Sequence, residues 1–432
     1  MNINPRNSRP ARSMRRQLGQ HAKRFVAHCT MLSILVSPIL HNPAYATLAD
    51  SPLYLTSAVE PNIMFVLDDS GSMHWEILPD DSIYSYFVFP RASEVYNSSG
   101  DYSRYVPTFV DGYVYSARIR SAQVNPLYYN PAITYRPWAN ADGTLMPNAD
   151  PAAAYHNPHK TSAGTRNLTA NNTQTAGWDS CTAAPPTGCT YASESRTFYP
   201  AVYFTLTGAD PWAWGSYTKT EIRSSTASYT GEGRASRTDC TAGTCTYAQE
   251  IQNFANWYTY YRSRILAARA GIGHAFATQG TNMRVGFGAI NKGSSTVDGV
   301  SAETVVRGVR PFSGTNRTTF FSDLYTHDIP TSGTPLRKAL GDVGEYYLRT
   351  DNRGPWGNTP GTDDGVATNS HAQCRQSYTI LMTDGYWNGS QASRTDAQAN
   401  VDGTGGPGHT GPGNASFTYL AVSPFSDSHS NT

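Results

Sequence analysis

The stretch "FVLDDSGSM" occupies Phe65–Met73. An apolar run enters a knot of two aspartates, two serines and a glycine. A tight turn explains one Asp and the Gly. It does not require Asp68, Ser70 and Ser72 at alternate positions, all oxygen-bearing. The flanking "PNIMFVL" at 61–67 is continuous in its apolar character, as in a strand buried on both faces.

Four further segments extend this pattern. Residues 250–278 have helical period. "MRVGFGAI" at 283–290 reads as a second buried strand. "TPLRKALGDVGEYYLR" at 334–349 reads as a helix, with Thr334 placed to cap it and Pro335 at its first position. "SYTILMTDG" at 377–385 reads as a third buried strand that again ends on an aspartate. Strand, helix, strand, helix, strand predicts an α/β fold, a mostly parallel sheet flanked by helices. Residues 76–249 break the rhythm. They are rich in Tyr, Ser, Asn, Pro and Gly and poor in Leu, which predicts a large loop-rich, partly β insertion after the first strand. The expected division is therefore 1–46 as a signal peptide, 47–75 as linker and first strand with its loop, 76–249 as insertion, and 250–432 as the remainder of the α/β domain.

In an open parallel sheet, ligands bind outside the carboxyl ends of the strands. Asp68, Ser70 and Ser72 follow the first strand, Asp384 follows the third, and Thr334 opens a helix. Two carboxylates and three hydroxyls form a hard oxygen set suited to an octahedral divalent ion, Mg²⁺ first and Mn²⁺ or Ca²⁺ next. Each piece alone also reads as turn or cap chemistry. Their joint occurrence, in this order, predicts one metal site.

The N-terminus predicts export. Residues 1–24 carry seven Lys/Arg and no acid, an apolar run follows at 25–40, and Ala44 and Ala46 form a small-x-small cleavage signal. His28, Cys29 and Pro38 interrupt that run, so a stable membrane span is not expected. Of 33 Lys/Arg, the seven in this segment leave 26 against 32 Asp/Glu, a net of −6. No basic stripe remains for nucleic acid. The cysteines "CTAAPPTGC" (Cys181, Cys189) and "CTAGTC" (Cys240, Cys245) sit in polar loops and read as two small disulfides in an oxidising compartment; the crossed pairing of the four stays open. Cys374 is left over.

A hydrolase is not expected. The chain has no G-x-S-x-G, no H-E-x-x-H and no P-loop. His156 and His159 in "YHNPHK" read as surface loop residues rather than a zinc pair.

"DDSGS" at 68–72, Thr334 in "GTPL" and Asp384 in "LMTDG" resemble the metal-ion-dependent adhesion site of von Willebrand factor A (vWA) domains. With "NPLYYNPAITYRPW" at 125–138, "ILMTDGYWNG" at 380–389 and "VDGTGGPGHTGPG" at 401–413, nearly the whole mature chain resembles the N-terminal half of PilY-type type IV pilus tip adhesins. That resemblance implies a vWA-like domain and Asp68, Ser70, Ser72, Thr334 and Asp384 around a metal. It implies a protein exported to the periplasm, outer surface and pilus tip, with minor pilins and a host or abiotic surface as partners, the latter completing the metal shell with a carboxylate. It also implies roles in pilus assembly, attachment and twitching motility. A vWA module of another secreted assembly is the alternative. The family's C-terminal β-propeller and calcium loop have no counterpart among these residues, and only 48 residues follow Asp384, so the expectation is of a chain that stops within the vWA-like domain.

Overall fold

The computed structural model describes residues 59–79, 83–97, 105–368, 371, 375–393, and two short strands at 408–410 and 416–418 that pair antiparallel. The signal segment, Cys374 and most of the Gly-rich 401–413 stretch lie outside the described residues.

The organising element is β1 (Asn62–Leu67). Its side chains alternate between two apolar layers, so both faces must be covered. Further along the chain come a short helix α1 (Val114–Ile119), the long hairpin strands β2 (Asn172–Cys181) and β3 (Cys189–Phe198), and a second hairpin of β4 (Val202–Leu206) and β5 (Tyr217–Glu221). Helices α2 (Tyr247–Tyr260) and α3 (Arg264–Ala277) lead back to β6 (Arg284–Ala289) and β7 (Val305–Pro311). Then follow α4 (Gly314–Thr326), α5 (Leu336–Tyr347) and β8 (Ser377–Met382).

The main sheet has the order β7-β6-β1-β8. β1 runs parallel to β6 and β8, with Phe65 opposite Phe287 on one side and Ile380 on the other. β7 is antiparallel to β6. The fold is thus mixed α/β. Phe65, Leu67 and Phe287 pack towards α3 and α4, where Phe276 and Phe320 lie 5.6 and 6.4 Å from the Phe65 ring. Met64, Val66, Val305 and Val309 face α5 through Ala339 and Val343. Each such fully buried side chain contributes about 1.5–3 kcal/mol of transfer free energy. Gly286 in β6 leaves room for that packing, since a Cβ there would sit 2.7 Å from Met64 Cε and 2.9 Å from the Arg307 carbonyl.

Several sequence expectations are corrected. The helical stretch 250–278 is two helices, because Ser263 adopts an extended backbone and accepts a hydrogen bond from Leu266 N, capping α3. Thr334 does not cap α5. Pro335 holds the cap position and no side chain bonds there. β7 and α4 were not expected. The strand 377–385 is shorter and is not buried: among the described residues nothing pairs with its outer edge, and Tyr378 and Ile380 are 50% and 45% exposed. An apolar exposed edge is a template for pairing between chains. We predict that purified 47–432 self-associates and that Ile380→Lys shifts it towards monomer in sedimentation velocity. Equal association of the two proteins would show that this edge is not the contact.

Residues 76–249 pack onto α2, which is buried on nearly all sides. The 125–138 stretch wraps that helix by named bonds. Trp257 Nε1 donates to Leu127 O (2.9 Å), Asn256 Nδ2 to Tyr135 O (3.0 Å) and Trp138 Nε1 to Tyr260 O (2.8 Å). The disulfides are Cys181–Cys189, closing the β2–β3 hairpin, and Cys240–Cys245. No helix among the described residues is long and apolar enough to cross a membrane.

Candidate metal centre

β1, β6 and β8 end on the same side because they are parallel, and their following loops meet there. Asp68 N donates to Met382 O at 2.9 Å, and Gly71 N donates to Ser332 O at 2.9 Å. These bonds bring the 68–72 loop against both the β8 terminus and the loop before α5.

The two adjacent aspartates have different tasks. Asp69 turns to the neighbouring loops. Its Oδ1 accepts from Asn291 N (2.8 Å), just after β6, and its Oδ2 lies 2.9 Å from His327 Nε2, just after α4. Asp68 turns to β8. Its Oδ1 accepts from Ser70 N (2.8 Å) and its Oδ2 from Thr383 Oγ1 (2.7 Å). Beside it runs a line of oxygens: Ser70 Oγ lies 3.1 Å from Ser72 Oγ, and Ser72 Oγ donates to Asp384 Oδ1 at 3.0 Å. Asp68 and Ser70 are fully buried, and the Asp384 carboxylate is 7% exposed.

Thr334 reaches the same edge by its backbone. Its N–H donates to Asn388 Oδ1 and its carbonyl accepts from Asn388 N, both at 2.9 Å. Its hydroxyl makes no hydrogen bond with the other four residues. Asp68, Ser70, Ser72 and Asp384 are thus joined by side-chain and local backbone bonds, and Thr334 is joined to them through the loops.

The electrostatics suit a cation. Burial raises the Asp68 carboxyl above its ordinary value; hydrogen bonds from Ser70 and Thr383 oppose this, and the nearby Asp384 carboxylate adds to the rise. Asp68 has no cationic partner of its own among the described residues, and a divalent ion would supply that charge. The two carboxylates and three hydroxyls would be hard oxygen donors for Mg²⁺. Among the described residues no group of three or more His, Cys, Asp or Glu converges.

Sequence reasoning missed Arg264, the first residue of α3. It pairs with Asp384 Oδ2 at 2.7 Å, donates to the Ile77 and Leu78 carbonyls and lies 5.0 Å from the Trp75 ring. The pair leaves Asp384 Oδ1 turned to Ser72. No local signal marks this contact, because 120 residues separate the partners. The reading of His156 as a surface residue is corrected. It is buried, with Nδ1 2.8 Å from Tyr258 Oη, and burial, then Arg262 and Arg166, push it down to about 3. Having Tyr258 Oη and arginines for neighbours, it is a core histidine.

A mixed α/β domain with an oxygen-rich loop cluster at the ends of its parallel strands is the class defined so far. Over nearly its whole length the chain is similar to the type IV pilus biogenesis factor PilY1 of Pseudomonas aeruginosa. It is 28% identical to the protein of strain PAK over 429 residues, covering 97% of this chain and 31% of that protein. For the proteins of strains PAO1 and UCBPP-PA14 the identity is also 28%, over 90% and 96% of this chain and 29% and 30% of theirs. The chain therefore spans about a third of the length of these relatives. No family model matches it, and no solved structure matches it.

Proposed function

We propose that this chain is the metal-dependent vWA-type module of an exported type IV pilus biogenesis factor, acting at the pilus tip in assembly, surface attachment and twitching. The observation that carries the reading is the bonded line Ser70–Ser72–Asp384 beside buried Asp68, at the shared end of β1 and β8, on a chain similar to PilY1 over nearly all its length. The strand order, with one antiparallel strand at the edge of three parallel ones, supports a vWA-type sheet. The chain's own groups position the donors: Thr383 and Ser70 orient Asp68, and Arg264 orients Asp384. A bound Mg²⁺ would supply an electrophilic centre with room for a partner's carboxylate, so binding rather than bond cleavage is the activity. The two disulfides fit an oxidising compartment.

The test is replacement of the chromosomal gene by one encoding Asp68→Asn. We expect wild-type amounts of exported protein, with surface pilin, attachment and twitching strongly reduced. Normal piliation and attachment from that strain would remove the metal cluster from the function. Normal piliation after deletion of the whole gene would move the protein to a different secreted assembly.

A further inference from the structure

A second site lies in the insertion, apart from the metal cluster. Between α1, the β2–β3 hairpin and the β4–β5 hairpin is a cavity of about 420 Å³, within the roughly 300–1,000 Å³ of small-molecule sites. We infer that it binds a saccharide carrying a carboxylate, of the uronic acid type.

Three features lead there. The first is an aromatic wall of Phe109, Trp178 and Phe198, with Phe109 and Phe198 stacked at 4.4 Å. The faces of Phe109 are taken by Phe198 and by the Arg120 guanidinium 3.7 Å over its ring, so the wall offers its apolar ring edges, which suit the C–H groups of a sugar better than a bare inorganic anion. The second is charge. Arg120, Arg196, Lys219 and Arg223 line the cavity against one carboxylate, Glu221. Glu221 bonds both Lys219 (3.0 Å) and Arg223 (2.5 Å), so a ligand carboxylate would share those two cations with it. The other partners are weaker competitors: Lys219 also bonds Asp111 at 2.9 Å and Arg196 bonds Glu194 at 2.6 Å, and those two carboxylates are more than half and half exposed. Exposed pairs of this kind contribute about 0–1 kcal/mol, so a ligand carboxylate can share the cations.

The third feature is unmet donors. Arg120 and Ser116 are almost fully buried and line the cavity. Arg120 Nε and Ser116 Oγ have no hydrogen-bond partner, although the Arg120 Nη atoms donate to the Val88, Pro107, Thr108 and Ser116 carbonyls. A buried donor left unpaired is unfavourable. The guanidinium Nε is donor only, and a water or a ligand acceptor such as a ring oxygen, hydroxyl or carboxylate would satisfy it. Cations, unmet donors and an aromatic wall together select an acceptor-rich, acidic sugar over a neutral sugar or an apolar group.

The experiment is calorimetric titration of the purified exported protein, at low salt and with EDTA, using a hyaluronan tetrasaccharide and a mannuronate oligomer as two sources of uronic acid. Lactose and inorganic phosphate are the neutral and bare-anion probes. We expect at least one uronate oligomer to bind, lactose and phosphate to bind at least tenfold more weakly, and Lys219→Gln/Arg223→Gln to weaken the uronate tenfold or more. Both side chains are partly exposed, and an unchanged circular dichroism spectrum and melting temperature of the double variant check that its fold is kept. Preference for the hyaluronan or the mannuronate oligomer identifies a host or a bacterial polysaccharide as the source. Equal binding of lactose, tighter binding of phosphate, no uronate binding, or an unchanged double variant would each overturn the site. Asp68→Asn should bind the uronate normally, so failure here and failure of the metal reading are distinguishable.

Discussion

Wild-type protein should gain thermal stability from Mg²⁺, and Asp68→Asn should not. An ion that binds only the folded state at about a hundred times its dissociation constant stabilises by about 2.7 kcal/mol, several degrees for a domain of this size. The asparagine keeps the size and one carbonyl oxygen but removes the charge. With EDTA the order should reverse or vanish. Asp68 is buried, and burial and Asp384 already disfavour its ionised form, so removing the charge relieves repulsion and leaves the Ser70 N–H an acceptor. Arg264→Met provides a variant of opposite sign. A guanidinium and a divalent ion that share one carboxylate repel each other by about 1–3 kcal/mol at the dielectric of a partly solvated site. Losing Arg264 also loosens Asp384, a smaller effect at about 0.5–1.5 kcal/mol for one lost hydrogen bond. Mg²⁺ should therefore bind roughly tenfold tighter in Arg264→Met. Equal Mg²⁺ stabilisation of wild type and Asp68→Asn, in paired melts and calorimetry, would show that the ion binds elsewhere.

The parts of this fold visible in the sequence are those where one interaction dominates. β1 and β6 are buried on both faces and so read as unbroken apolar runs. Asp68 and Asp384 stand at the ends of strands that only a parallel arrangement brings together, and the D-x-S-x-S spacing marks the loop. β7 was hidden because "VVRGVRP" mixes Val with Arg307 and Arg310, whose guanidiniums pair with Asp323 and Asp298. α4 was hidden because "GTNRTTFFSDLYT" has only a narrow apolar stripe, Phe320, Phe321 and Leu324. The break at Ser263 could not be read from periodicity, since both helices keep their apolar faces across it. β8 was misjudged because Ile380 and Leu381 look like core until the sheet order puts them at an edge. The insertion's packing left little trace because its tyrosines are buried by satisfying their hydroxyls internally: Tyr128 Oη donates to Val202 O and Tyr199 Oη to Ile222 O. Such long-range hydrogen bonds leave no periodic trace. Arg264 is of the same kind.

The insertion should depend on one buried ionic cluster more than on either disulfide. Glu250, on the first turn of α2, is fully buried between Arg234 and Arg237, whose side chains are also buried. Its Oε1 accepts from Arg234 Nη2 and Tyr129 Oη, both at 2.8 Å, and its Oε2 from Arg237 Nη1. Glu232 and Asp239 pair with the outer sides of the two arginines at 2.7 and 2.6 Å. Glu250→Ala leaves two buried guanidiniums facing a void, with only the outer, partly exposed carboxylates of Glu232 and Asp239 to balance them. Removing one member of such a cluster is destabilising by about 3–5 kcal/mol, a large share of the roughly 5–15 kcal/mol of a typical domain. The short Cys240–Cys245 loop constrains few unfolded conformations and should matter less. We expect Glu250→Ala to lower the urea midpoint sharply and open 125–249 to protease, with the remaining folded protein still binding Mg²⁺. Replacing all three charges by Met should recover much of the loss, because an apolar cluster of similar volume has no charge left to desolvate. A loss below about 1 kcal/mol for Glu250→Ala, or a triple variant less stable than the single one, would mean that water reaches these charges and that the aromatic packing around α2 alone holds the insertion in place.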